Sequence, residues 1–133
     1  MATYMDWKVW CNIKEYEQYE TDRQNWERYG YYVHLELKQG EQTSANYHTH
    51  GILHSRGKSD FRIIDPIEPF LAASIFRELV ERMDQGAEIN PGQEIGDILS
   101  GLVLEISEAS DESDMLTISL SEASLAGWLK LKW

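Results

Sequence analysis

Three of the chain's four histidines, His48, His50 and His54, fall within seven residues, and Asp60 follows. Side chains on an extended strand repeat every second residue, so His48 and His50 project from one face. Two imidazoles on one face can share a Zn²⁺ ion, with Asp60 as third ligand, His54 as a further candidate and water in the open position. Such an ion would activate its water for hydrolysis. The competing reading is structural: two imidazoles facing inward together, each hydrogen-bonded to backbone or to neighbouring Thr, Tyr or Asn side chains. Neighbouring imidazoles cannot both charge cheaply at low dielectric, so on that reading both stay neutral at pH 7 and titrate below about 6.5.

The same residues resemble, in part, the Mov34/JAB metal-isopeptidase pattern, His-x-His followed by Asp, with a Glu upstream. The resemblance implies His48, His50 and Asp60 as zinc ligands and Glu36 or Glu41 as general base. Nine residues separate His50 from Asp60, one fewer than in that pattern. Gly51 stands where the pattern has Pro, and Gly57 where it has Ser.

Other chemistries find less support. Ser119 and Ser121 lack a Gly-x-Ser-x-Gly elbow. Cys11, the single cysteine, excludes an intrachain disulfide and reads as a buried thiol. Residues 110–114 offer oxygen ligands without the frame of a calcium loop, and read as a solvated hairpin tip. The nine glycines are scattered, so no phosphate-cradling loop is formed.

The elements that must hold these residues follow from periodicity. Residues 4–11 alternate as a strand, and Asn12 with Glu15 opens a helix that Gly30 ends. Tyr31, Val33, Leu35 and Leu37 then oppose Tyr32, His34, Glu36 and Lys38, a half-buried strand. A loop over 40–46 leads to extended structure over 47–53, a polar loop over 54–60 and a short strand over 61–64. Asp65, Pro66, Glu68 and Pro69 signal a helix start. Leu71, Ile75, Leu79 and Met83 recur at spacing four, and Gly86 stops the helix. Asn90-Pro91-Gly92-Gln93 predicts a type II turn, and 95–99 a short helical turn. Leu102, Leu104 and Ile106 pair with Leu116, Ile118 and Leu120 as two antiparallel strands, and 128–133 alternate as a last strand. The expected fold is a single α+β domain over 1–133, an antiparallel or mixed sheet of five to six strands covered by two helices.

From Asn25 to Leu120 the chain also resembles a bacterial family of unknown function. The resemblance rests on Tyr29-Gly30-Tyr31, on His48-Thr49-His50-Gly51-Ile52, on the strand and helix that follow, and on the Pro91-Gly92 turn. Ser59 stands where that family has Pro. The likeness implies the fold and no activity.

Size and charge set the remaining bounds. The chain has 133 residues and 15.4 kDa, one domain's worth, and its 42% hydrophobic content with 5 Trp and 7 Tyr supports a packed core. Net charge is −11, of which residues 67–133 carry −9. A duplex nucleic acid or an anionic membrane calls for a basic footprint, so neither is an expected partner. The N-terminal residues lack a signal-peptide pattern and no apolar run is long enough to span a membrane, so a cytoplasmic setting is expected. An acidic field speeds encounter with a basic protein. Asp111, Glu112 and Asp114 in the hairpin tip and the indoles of Trp10, Trp128 and Trp133 are the expected partner-binding residues. The sequence therefore reads as a protein-binding module of inhibitor or immunity type, leaning against an enzyme and needing no cofactor. The alternative is a metal-dependent hydrolase with zinc on His48, His50 and Asp60.

Overall fold

The computed structural model describes residues 19–122, with side chains from Glu20 to Ser121. Helix α1 (Tyr19–Tyr29) leads into strands β1 (Tyr32–Lys38) and β2 (Ser44–His50), a short helix α2 (Ile52–Arg56) and β3 (Asp60–Ile63). The long helix α3 (Pro69–Asp84) precedes β4 (Glu94–Ile95), β5 (Leu102–Glu108) and β6 (Met115–Glu122). The six strands form one mixed sheet in the order β1-β2-β3-β6-β5-β4. Only β3 and β6 run parallel; the other four pairings are antiparallel. The architecture is α+β, as expected. The strand over 4–11, the helix start at Asn12, Cys11 and the strand over 128–133 lie outside the described residues.

Helix α3 forms where the spacing-four stripe and the Pro and Gly punctuation place it. Pro69 occupies its first turn, where a missing N–H costs no hydrogen bond. The N–H groups of Leu71 and Ala72 reach the Glu68 carbonyl. Its buried stripe is Ala72, Ile75, Phe76, Leu79 and Val80. That stripe meets Tyr47, Phe61, Ile63, Leu104, Ile106, Leu116 and Ile118 on one face of the sheet. Each large apolar side chain buried there contributes about 1.5–3 kcal/mol. Asn90 to Gln93 form the expected turn, with Gly92 at φ 91° and Gln93 N–H donating to the Asn90 carbonyl.

Several expectations change. The loop over 40–46 is shorter than expected, because β2 begins at Ser44 and residues 44–46 pair with Glu36–Lys38 of β1. The segment 95–99 supplies a two-residue strand at Glu94–Ile95 instead of a helical turn, because Ile95 lies opposite Leu104 and extends the sheet. Extended structure does not continue to 53, and 54–60 are not simply a polar loop. β2 ends at His50, Gly51 takes φ 108°, and Ile52–Arg56 coil into α2. The cause is Asp60, whose carboxylate accepts hydrogen bonds from the N–H groups of Ile52 (3.0 Å) and Leu53 (3.3 Å). It caps the start of a helix eight residues upstream, a contact no local pattern encodes. The described residues thus hold three helices where two were expected.

Candidate functional site

β1 and β2 show a polar sheet face, and their register decides which residues meet on it. His34 lies directly opposite His48, and Tyr32 opposite His50. On the next strands Arg62 lies opposite His48, and Thr117 opposite Arg62. The core side of β2 instead receives Tyr47 and Thr49, both buried. The expectation that His48 and His50 face inward is therefore corrected: they share a face, as their spacing requires, but it is the one opposite the core. Period two assigns residues to a common face, and the apolar contacts of Tyr47 choose which face is inside.

The three imidazoles are in mutual contact. Ring centres are 4.9 Å apart for His34 and His48, which stack, and 4.5 Å for His48 and His50, which meet edge-on. His34 and His50 are 6.3 Å apart. His50 also stacks on Tyr32 at 4.9 Å. His48 Nδ1 lies 3.0 Å from Asn46 Oδ1, and His34 Nε2 is 3.5 Å from Glu36 Oε2. Comparison with family models, curated proteins and solved structures found no match for this chain. The chemistry of the site rests on its own geometry.

A groove of ≈ 510 Å³ runs over His48, His50, Asp60 and Arg62 and is walled by 111–114 of the β5–β6 hairpin tip. Arg62 spans it. The guanidinium Nε donates to Thr117 Oγ1 (3.0 Å), and Nη1 and Nη2 meet both carboxylate oxygens of Asp111 at 3.2 and 2.7 Å. A two-pronged contact of this kind fixes orientation as well as charge. It ties a tip of three acids to the histidine side of the sheet and holds Asp111 below the usual carboxylate range.

His48, His50 and Asp60 line this one groove, but the carboxylate of Asp60 is engaged elsewhere. Its Oδ1 accepts from Thr49 Oγ1 (2.7 Å) and Ile52 N–H, and Oδ2 from Leu53 N–H. Thr49 in turn accepts from Phe61 N–H (3.0 Å). Burial pushes the Asp60 carboxyl up, outweighing these hydrogen bonds. Among the described residues, no three His, Cys, Asp or Glu side chains have donor atoms gathered as around a bound ion. His54 is carried away on α2, its ring 5.3 Å from Trp26. Glu36 is held below the usual range by His34 and Lys38. Glu41 sits exposed in the β1–β2 connection, about 20 Å of strand from His50. The residue that sequence reasoning passed over is His34. Alternation already set it opposite Val33 and Leu35, but only the strand register brings it to His48.

Burial lowers the pKa of His48, with His34 adding to the effect, and lowers that of His50 to about 4, with His48 and His34 adding to it. The unfolded chain, titrating near 6.5, binds more protons than the folded chain in this range. Stability from the pair is therefore fully present above about pH 6.5 and is lost as pH falls through the folded values. For His50 the loss is on the order of 2 kcal/mol by pH 4. Asp60 acts with opposite sign, since its raised value favours folding as the pH falls. Denaturant midpoints of wild type and His50→Gln between pH 7.5 and 4 separate the two, and the variant should show the flatter profile. Imidazole titration by NMR near 6.5 for His50 would remove the basis of this expectation.

Proposed function

We propose that the protein is a binding module for a basic segment of another protein. The observation that carries this reading is a second groove, of ≈ 550 Å³, which shares residues 112–115 of the hairpin tip with the first. Among the described residues, Glu88, Glu108, Glu112 and Asp114 line it with a single cation, Lys58. Met83, Ile89 and Leu116 add apolar surface. Among the described residues none of the four carboxylates is ion-paired. A lysine or arginine side chain suits such a groove, because its aliphatic stem covers apolar atoms while its head meets carboxylates. The β4–β5 register also sets Glu94 directly opposite Glu105, and like charges so placed disfavour the free protein. Trp10, Trp128 and Trp133, the other expected partner contacts, lie outside the described residues. Asp111 is spent on Arg62, so Glu112 and Asp114 carry the tip's share of the groove.

Capture of a partner from the native host tests the reading. Wild-type protein should retain a partner at about 50 mM salt and release it at about 500 mM, where the Debye length is only a few ångströms. The variant E108Q/E112Q/D114N should bind about tenfold more weakly or less well still. Asn suits position 114 because Asp114 has φ 57°. A control with the same charge change elsewhere, E41Q/E68Q/E81Q, should bind as wild type. No retained partner, retention indifferent to salt, or equal loss in the control would each reject the reading.

A further inference from the structure

The outer side of strand β1 carries an inference independent of the acidic groove. β1 is one edge of the sheet, and among the described residues it pairs with β2 alone. A seven-residue edge presents a row of outward backbone N–H and C=O groups, which proteins ordinarily pair or cover. We propose that residues 4–11 of this chain add to that edge as a seventh strand, parallel to β1, with α1 as the crossover between the two.

Three observations support it. The first is a groove of ≈ 370 Å³ that opens along β1. α1 lines it with Asp22 and Tyr29, α3 with Ala73 and Ser74, and β1 with Val33 and Leu35. Leu35 departs from the rest of its strand face, since Tyr31, Val33 and Leu37 pack on the core while Leu35 is 41% exposed. Tyr29 is 49% exposed, and Phe70, one turn before Ser74 on α3, is 71% exposed. Three of the five large apolar side chains left exposed among the described residues therefore lie in or beside this groove. An open edge and an uncovered apolar strip occur together.

The second observation is the segment's own pattern. Met5, Trp7, Val9 and Cys11 alternate with Asp6, Lys8 and Trp10, the period of a strand with one buried face. Its apolar side would cover Leu35. The third is reach. Residues 12–18 join the segment to α1, whose first turn already lines the groove at Thr21 and Asp22. Seven residues extend to at most about 23 Å, roughly the length of β1 itself. Parallel neighbours need a crossover of about a dozen residues or more, usually helical, and residues 12–31 with α1 supply one. The added strand closes the long edge of the sheet and leaves only the two-residue β4 at the other. It also puts Trp10 on the face that carries His34.

The test is covalent trapping in the full chain. Cys11 is its single cysteine, and paired strands lie about 4.8 Å apart, within reach of a disulfide. Under mild oxidation at least one of Leu35→Cys and Leu37→Cys should form an intramolecular disulfide in the monomer. Glu94→Cys, on the far edge of the sheet, should form none. Amide hydrogen exchange gives a readout that needs no new cysteine. The amides of β1 should exchange about tenfold or more faster in Val9→Asp than in wild type, while those of β5 and β6 keep their rates. Lys8→Gln, on the other side of the segment, should exchange as wild type. Disulfide-linked dimers in place of the intramolecular product would assign the edge to a second copy. Exchange in β1 that ignores Val9→Asp but accelerates in Leu131→Asp would assign it to residues 128–133. Either result overturns the proposal, as does the failure of either expected one.

Discussion

Gly51→Ala should destabilise the protein by about 3–4 kcal/mol, a large effect for the addition of one methyl group. Gly51 holds φ 108° and ψ −10°, a conformation that costs an L-residue about 1–2 kcal/mol by itself. Space makes it worse. A Cβ there would lie 2.7 Å from the Gly30 carbonyl oxygen and 2.8 Å from Cζ3 of Trp26. Neither neighbour yields easily, because Gly30 closes α1 through its N–H to the Trp26 carbonyl, and Trp26 is completely buried. Gly57 is the internal standard. It too has a positive φ, 67°, but nothing stands within 4 Å of its added Cβ, so Gly57→Ala should cost only about 1–2 kcal/mol. Urea unfolding of both variants decides the matter. If they lose equal stability, the close approach of β2's end to α1 is wrong.

Asp60→Ala should come next, at about 2–4 kcal/mol, since it strands the Thr49 hydroxyl and the N–H groups of Ile52 and Leu53. Asp60→Asn separates hydrogen bonding from charge. It keeps one acceptor oxygen for Thr49 and Ile52 and removes a carboxylate whose burial raises its pKa, so a loss of about 1 kcal/mol is expected. Amide hydrogen exchange gives the second readout. The amides of Ile52 and Leu53 should exchange faster in the Ala variant, and those of α3 only in proportion to the global loss. An Ala variant no less stable than Asn, or unchanged exchange at Ile52 and Leu53, would show that α2 does not depend on this carboxylate.

Helix α3 was legible in the sequence because everything that specifies it is local. Its stripe repeats over sixteen residues, Pro69 fits its first turn, and Gly86 at φ 102° follows its end. The strands β1, β5 and β6 were legible for a similar reason, since alternation over seven or eight residues is its own signal. Helix α2 was not. Its five residues, Ile52–Arg56, are too few to show a period, and its start is capped by a side chain from another strand.

The candidate site divides along the same line. Sequence alone determined that His48 and His50 share a face, because strand geometry allows nothing else, and that the hairpin tip is acidic. Tertiary structure decided which face the histidines occupy, through the burial of Tyr47 and Thr49 on the other. It also decided their company. His34 arrives from fourteen residues away because the β1–β2 register sets it opposite His48. Asp111 reaches Arg62 across 49 residues because the parallel β3–β6 pairing brings the hairpin tip over the groove. Local periods say which side chains point together along one strand. Which residues lie across from them depends on strand register and order, and those are fixed by how the whole sheet buries its apolar face against α3.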